Sequence, residues 1–270
     1  MIKRMPVNLN NEVMAGNALI SRFLDSDYPL IIGHRGVSAY YPENTIVSVE
    51  AAIRLGCDMV EIDVQSSADD VLLIAHDPDL SRVASRKIDV SELKWSELQK
   101  IDVGSWFHPK YSGVHIPTLH QVLEVCRDTI PVNLELKFAD RNISRLQIRV
   151  KAVVEAVTRF GMQDQVVISS FNSRVSPIVK QQNQSIATAI LYHHFYWKNT
   201  PPSEIVNQRH ADFFHCSWKQ HNQKWQKNLD EQRIPVNVYT VNELSAYRKM
   251  KELGVSGVFS DRPDVLLDNR

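Results

Sequence analysis

Short apolar, β-branched runs alternate along the chain with longer segments whose apolar residues recur at helical spacing. Strands buried on both faces of a parallel sheet give the first pattern, and helices that cover such a sheet give the second. The strand-like runs occupy residues 30–32, 59–64, 132–136, 166–169, 186–191, 211–214, 235–239 and 255–259. Their order predicts eight consecutive β-α units.

Three of the predicted helices end at a glycine that is soon followed by a strand. The segments 44–55, 146–160 and 244–253 are followed by Gly56, Gly161 and Gly254. Glycine at this position adopts the left-handed conformation that closes a helix. Eight β-α units in about 250 residues predict a single (β/α)8 TIM barrel, with a doubly wound sheet as the alternative fold.

Two segments do not follow this alternation. Residues 1–28 precede the first strand and carry an apolar face, Leu19, Ile20, Phe23 and Leu24, which predicts an N-terminal helical extension packed against the N-terminal mouth of a barrel at 29–270. After strand two, an extra strand at 71–75 is followed by an insertion at about 77–118. An insertion of that size at the C-terminal end of a strand usually shapes an active site.

Composition and charge exclude several classes of protein. Lysines plus arginines and aspartates plus glutamates both number 31, which argues against a nucleic-acid partner. No apolar run approaches the ~20 residues of a membrane span, and residues 7–12 are too polar for a signal peptide. The three cysteines fit neither a zinc site nor a disulfide framework. We therefore expect a cytoplasmic protein without stable membrane insertion; its oligomeric state is left open.

Candidate catalytic residues lie where the predicted strands end, which is where barrel enzymes place their active sites. Glu61 and Asp63 are two residues apart on strand two, so both side chains point to the same face. Glu135 and Lys137 repeat this spacing on the next ring strand. The histidines His34 and His76 follow strand one and the extra strand.

Three carboxylates that converge inside a barrel repel one another unless a cation neutralises them. Oxygen ligands favour Mg²⁺ or Ca²⁺ over zinc, so Glu61, Asp63 and Glu135 predict a site for one divalent cation. We expect His34 and His76 to end adjacent inner strands and to flank that ion. With Arg35 and Lys137 nearby, the set suits acid–base cleavage of an anionic ester.

Each motif alone has an ordinary structural explanation. The tripeptide 34–36 fits a loop in which Gly36 supplies a positive φ, and Glu61 and Asp63 fit ion pairs with Arg54 or Arg82. The segment 135–137 is also an ordinary alternating strand fragment. Their occurrence together at strand ends of one barrel favours a functional site.

These residues resemble the glycerophosphodiester phosphodiesterase family from about Leu30 to the C-terminus. The most specific motif is His34-Arg35-Gly36 followed by Pro42-Glu43-Asn44-Thr45. The remaining motifs occur in the family order at residues 56–64, 76–77, 116–119, 135–137, 169–171, 239–242 and 260–263. The departures are a turn at 67–70 without the usual Lys-Asp-Gly, Tyr239 for tryptophan and Ser260 for threonine. An aspartate in left-handed conformation would preserve the turn.

The resemblance implies hydrolysis of glycerophosphodiesters, such as glycerophosphocholine and glycerophosphoethanolamine, to sn-glycerol 3-phosphate and an alcohol. It also implies that Glu61, Asp63 and Glu135 bind the cation. By the same carry-over, His34 and His76 act as general base and general acid. Arg35 and Lys137 hold the phosphate of a small-molecule substrate.

A lysophospholipase D would share the fold and the metal site. Aromatic residues of the insertion, Trp95, Trp106, Phe107 and Tyr111, would then line an acyl channel or simply pack the insertion onto the barrel. The aromatic segment 192–197 fits a leaving-group pocket, a rim that touches membranes, or surface packing. Neither aromatic group decides between a glycerophosphodiester and a lysolipid as substrate.

Two further functions are compatible with the same residues. A binding module would keep the fold without turnover, although the intact histidine pair argues against it. An unrelated barrel enzyme with a carboxylate–metal centre would account for the three acidic residues, but not for the full series of motifs.

Overall fold

The chain forms a closed ring of eight parallel strands in a computed structural model that describes residues 17–84, 87–138 and 140–270. The ring strands are β1 (Leu30–Gly33), β2 (Met59–Ser66), β4 (Val132–Leu136), β5 (Val166–Ser170), β6 (Ala187–Leu191), β7 (Phe213–Ser217), β8 (Val236–Tyr239) and β9 (Gly257–Ser260). β1 pairs in parallel with both β2 and β9, which closes the ring. This closure confirms the TIM barrel and excludes the doubly wound sheet, which is open.

The helices that follow the ring strands cover the outside of the ring, while α1 precedes β1 and α3 and α4 lie in the insertion. They are α1 (Ala18–Leu24), α2 (Ile46–Leu55), α3 (Ser81–Ala84), α4 (Trp95–Leu98), α5 (Leu119–Cys126), α6 (Ile143–Arg159), α7 (Val175–Gln182), α8 (His194–Trp197), α9 (Pro202–Gln208), α10 (Gln223–Asp230), α11 (Leu244–Leu253) and α12 (Pro263–Leu267). Gly56 and Gly254 end α2 and α11 in the left-handed conformation, with φ of 74° and 87°. α6 begins three residues before the predicted start because the Asn142 side chain caps it.

The strand that precedes His76 lies outside the ring, so the expectation that His76 ends an inner strand is wrong. β3 (Leu72–Ile74) runs antiparallel to the second half of β2. The turn between them contains Asp70 with a φ of 60°, the left-handed aspartate that the sequence predicted. A tight turn of this kind returns the chain beside β2, which favours antiparallel pairing over entry into the parallel ring.

Side chains inside the ring change from apolar to acidic along the strand direction. On β2, Met59 packs with the apolar cluster at the N-terminal end of the ring, whereas Glu61 and Asp63 are buried further along. The intervening Val60 and Ile62 belong to the core between ring and helices. This alternation places the carboxylates at the C-terminal half of the barrel interior.

Helix α1 packs against the N-terminal end of the ring. Its Leu19, Ile20 and Phe23 belong to the same buried cluster as Leu30 and Phe213. Asn17 caps the helix by accepting hydrogen bonds from the backbone N–H groups of residues 19 and 20. Of the proposed extension at 1–28, residues 1–16 lie outside the described part of the chain.

The segment between β3 and α5 has its own small core. Short helical turns at α3, Val90–Glu92, α4 and Pro109–Tyr111 follow one another. Leu73, Leu80, Val90 and Leu98 form a buried cluster there, separate from the other clusters. In the described ranges, no helix is long and apolar enough to cross a membrane.

Candidate active site

The loop after β1 is held in a conformation that aims its backbone at the barrel interior. Arg35 and Gly36 both have positive φ, 52° and 87°. A Cβ atom at Gly36 would lie 2.4 Å from Ser48 Oγ, so only glycine fits there. The backbone N–H of Arg35 donates to Glu61 Oε2 at 2.8 Å. The His34-Arg35-Gly36 tripeptide is therefore fixed directly above β2.

Glu61, Asp63 and Glu135 converge, as the strand spacing predicted. Each offers an oxygen atom, and these atoms lie within 4.8 Å of one another. Asp63 and Glu135 are register partners on β2 and β4. Asn44 fixes Asp63 from two directions, because its amide donates to Asp63 Oδ2 at 2.8 Å and its Oδ1 accepts from the Asp63 backbone at 3.1 Å.

The electrostatics of these three carboxylates fit a bound cation. Burial, followed by the charge of Asp63, raises the pKa of Glu61 to about 8. Burial and Asp63 also raise the pKa of Glu135. Within the described chain, the buried Glu61 Oε1 has no hydrogen-bond partner. A buried carboxylate with an unpaired oxygen beside two more carboxylates is the donor set that a hard divalent ion takes.

Arg35 and Lys137, predicted to hold phosphate, both contact the carboxylate cluster. Lys137 Nζ lies 3.0 Å from Asp63 Oδ1 and also donates to Glu135. Arg35 Nη1 donates to Glu43 at 2.9 Å, while its Nε lies 3.4 Å from Asp63 Oδ2. Burial raises the pKa of Asp63, but the charges of Lys137 and Arg35 outweigh it, so that pKa stays low. Two cations thus offset part of the charge of three carboxylates.

His34 is held by Asp261, a residue to which the sequence analysis gave no role. His34 Nδ1 lies 2.6 Å from Asp261 Oδ1, and Nε2 lies 4.0 Å from Glu61 Oε2. Asp261 also accepts hydrogen bonds from Ser38 Oγ and Asn242 Nδ2, at 2.8 and 2.7 Å. It directly follows β9, which pairs with β1, so the position of the Ser260-Asp261 motif at a strand end was the available signal.

A second carboxylate holds His76, and a chain of ion pairs connects it to the first loop. His76 Nδ1 lies 2.7 Å from Asp77 Oδ1. Arg82 of α3 donates to Asp77 Oδ2 at 2.7 Å and makes two hydrogen bonds to Glu43, at 2.6 and 2.7 Å. Glu43 in turn accepts from Arg35. The insertion is therefore tied to the rim of the barrel beside the histidine.

The family assignment rests on a match that spans most of the barrel. Residues 34–265 match the model of the glycerophosphoryl diester phosphodiesterase family. The chain belongs to this family. Its members are enzymes, and the match begins at His34 and includes every strand end described above.

Individual phosphodiesterases agree with this membership. A glycerophosphodiester phosphodiesterase of Caldanaerobacter subterraneus subsp. tengcongensis is 28% identical over 240 residues, covering 88% of this chain and 96% of its own. A phosphodiesterase of Oleispira antarctica, solved in complex with the product sn-glycerol-3-phosphate, superposes with a TM-score of 0.82 at 28% identity over 90% of this chain and 97% of its own. A human lysophospholipase D is 24% identical, with 94% of each chain covered.

In this glycerophosphodiester phosphodiesterase family member the two histidines have opposite pKa shifts. Burial lowers the pKa of His34, but the hydrogen bond to Asp261 and the charge of Glu61 outweigh it, so the pKa is raised. Burial lowers the pKa of His76, and Asp63 offsets this only in part. Two imidazoles with separated pKa values differ in how strongly they hold a proton, so one can act as an acid and the other as a base.

Proposed function

We propose that this chain hydrolyses glycerophosphodiesters, such as glycerophosphocholine and glycerophosphoethanolamine, to sn-glycerol 3-phosphate and an alcohol. The observation that carries the proposal is a pair of histidines, each fixed by its own carboxylate, beside one buried cluster of three carboxylates. Family membership and the similarity to a phosphodiesterase that binds sn-glycerol-3-phosphate support it.

In this proposal Glu61, Asp63 and Glu135 hold one divalent cation, Mg²⁺ or Ca²⁺, which supplies positive charge for the non-bridging phosphoryl oxygens. Arg35 and Lys137 bind the substrate phosphate and offset the negative charge that builds up there during attack. Both side chains contact Asp63, so the guanidinium of Arg35 and the ammonium of Lys137 lie within reach of a phosphate bound beside the carboxylate cluster. The partner of the site is a small anionic diester.

His34 acts as general base and His76 as general acid, as the resemblance implies. Each keeps Nδ1 on a carboxylate, so Nε2 is the atom that exchanges a proton with the substrate side. The pKa directions favour the opposite roles, because His34 holds its proton more strongly than His76. Neutralising Glu61 removes one of the charges that raise the pKa of His34, so the roles depend on what the cluster binds.

A second candidate function is lysophospholipase D activity. Similarity to a human lysophospholipase D supports it, as do Phe195 and Tyr196 near the barrel mouth, which are 81% and 70% exposed. The aromatic residues of the insertion do not add support. Trp106, Phe107 and Tyr111 contact one another with ring centroids 5.7 and 5.9 Å apart, and Tyr111 also contacts Tyr41. These rings are engaged in packing.

A substrate panel separates these functions. Glycerophosphocholine, glycerophosphoethanolamine and lysophosphatidylcholine are supplied with Mg²⁺ or Ca²⁺, and the phosphorus-containing product is identified. Release of sn-glycerol 3-phosphate, at a rate well above lysophosphatidic acid release, supports the proposal. Predominant release of lysophosphatidic acid favours lysophospholipase D, and no product with either ion favours a non-catalytic binding module. The expected cytoplasmic location is checked separately by cell fractionation.

A further inference from the structure

A groove of about 630 Å³ opens from the carboxylate cluster towards the loops after β4, β5 and β6. Glu135 and Lys137 form its inner end. Arg141 and Arg174 line it further out, together with the aromatic residues Phe171, His193, Tyr196 and Trp197. Because the groove starts at the cluster, a substituent on a phosphate bound there extends into it.

Arg174 is fixed at the groove by neutral acceptors. Its Nε donates to Asn172 Oδ1 at 3.1 Å, and its two terminal nitrogens donate to the backbone carbonyls of Asp140 and Arg141. The Asp140 carboxylate forms ion pairs with two other arginines, because its oxygens lie 2.9 Å from Arg149 Nη1 and 3.6 Å from Arg145 Nε. The guanidinium of Arg174 is thus oriented without being neutralised.

The charge of the groove is positive. In the described portions of the chain, neither Arg141 nor Arg174 has a carboxylate oxygen within the 4.0 Å of an ion pair, whereas nearby Arg145 and Arg149 do. Glu135 is the acidic lining residue, and Lys137 pairs with it. Arg141 precedes α6 and borders the groove.

The aromatic residues form a wall of rings that contact one another edge-on or tilted. The Phe171 and His193 centroids are 6.3 Å apart at an interplanar angle of 87°, and the His193 and Tyr196 centroids are 5.0 Å apart. Aromatic faces attract quaternary ammonium groups, but two unneutralised guanidiniums in the same groove repel them. The planar donors of arginine match the oxygen pairs of a carboxylate or phosphate.

We propose that this groove receives the leaving alcohol and selects alcohols that carry an anionic group, a carboxylate or a phosphate, over cationic ones. Arg141 and Arg174 are the specificity-determining residues. The inference rests on the proposed function and specifies its substrate class. It ranks glycerophosphoserine above glycerophosphoethanolamine, two diesters whose alcohols differ only by one carboxylate.

The test compares kcat/KM for these two diesters in the wild type, Arg141→Gln and Arg174→Gln. The wild type should prefer glycerophosphoserine by about fivefold, and each variant should lose most of that preference, an effect of the size expected for a partly exposed ion pair. Arg145→Gln is the matched control, because Arg145 pairs with Asp140 outside the groove. Raising the salt concentration should also shrink the preference of the wild type.

Calorimetry with O-phosphoserine and O-phosphoethanolamine gives a readout that needs no turnover. We expect tighter binding of O-phosphoserine, and loss of the difference in Arg141→Gln, whose side chain donates to no backbone carbonyl among the residues that the structure describes. Equal affinity for the two, binding of neither, or an undiminished preference in both groove variants would overturn the inference. Absence of hydrolysis with an intact binding preference would instead count against the proposed function alone.

Discussion

At the residue scale, the histidines matter through the carboxylates that hold them. Asp261 and Asp77 each lie within 2.7 Å of a histidine Nδ1, so each carboxylate fixes the orientation of its imidazole. The convergence of Glu61, Asp63 and Glu135 follows from the spacing and the ends of the predicted strands, whereas the place of His76 after an outer strand does not. The Asp261 contact joins residues 227 positions apart, and no local pattern reports such a pair.

The first prediction separates the general acid from the general base. Replacing His76 by alanine should lower hydrolysis of glycerophosphoethanolamine by ~10²–10⁴-fold, because the departing alkoxide then receives no proton. A p-nitrophenyl ester of glycerol phosphate needs no such proton, so His76→Ala should recover most of its rate on that ester. His34→Ala should be impaired on both substrates. If His34→Ala rather than His76→Ala recovers its rate on the p-nitrophenyl ester, His34 is the general acid and His76 the general base. That assignment is the one that the pKa directions favour.

The second prediction concerns Asp261. Asp261→Asn should lower kcat by about 10–100-fold with little change in KM, since the group that orients the imidazole loses its negative charge. It should also lower the pKa of His34, because Asp261 raises it, and so move the acidic limb of the pH–rate profile to lower pH. Asp264→Asn, whose carboxylate accepts from Tyr40, is the control. An unchanged pH profile in Asp261→Asn would contradict a positioning role.

At the element scale, sequence reasoning succeeded where the physical signal is local. Helix ends at Gly56 and Gly254 require a left-handed residue, and buried strands require apolar runs. It failed for β3, where the existence of the strand was predicted but its place outside the inner ring was not. Apolar runs do not encode pairing partners, because an outer antiparallel strand and an inner parallel strand can have the same composition.

The third prediction tests the packing of α1. Phe23 is 2% exposed and contacts the Phe213 ring edge-on with centroids 5.3 Å apart. Phe23→Ala should lower the free energy of unfolding by about 3–5 kcal/mol in urea titrations, because it leaves a cavity at the N-terminal end of the ring. Ile148→Ala on α6, at a site that is 64% exposed, should cost far less. Similar losses for the two variants would show that α1 contributes little to the core.

At the scale of the whole molecule, ring closure assembles the site from distant parts of the chain. β1 contributes His34, β2 and β4 contribute the carboxylates, and β9 leads into Asp261 beside β1. The predicted barrel fold was therefore sufficient to bring together the candidates that follow ring strands, but not His76, which follows β3 outside the ring. The ion pair between Arg82 and Glu43 depends on the path of an irregular insertion, and the periodicity of apolar residues does not specify that path.

The fourth prediction concerns the stability of the whole barrel in acid. His215 is fully enclosed, and burial lowers its pKa to about 3, far below its value in an unfolded chain. Below about pH 6.5 this histidine binds a proton in the unfolded state but not in the folded state. The free energy of unfolding is therefore highest near neutral pH and decreases as the pH falls below about 6.5. Between about pH 7.5 and 5.5 this group alone should cost about 1.4 kcal/mol. Urea unfolding of His215→Gln should show a pH dependence weaker by that amount; an identical dependence would contradict the assignment.

The most direct test of the central claim is sn-glycerol 3-phosphate release from a glycerophosphodiester as Mg²⁺ or Ca²⁺ is titrated into EDTA-treated protein. We predict no release without added cation, a saturable rise with one or both ions, and a strongly reduced response in Glu61→Gln. Undiminished release in EDTA would contradict the assignment of Glu61, Asp63 and Glu135 as cation ligands. No release at any cation concentration would contradict the proposed function itself.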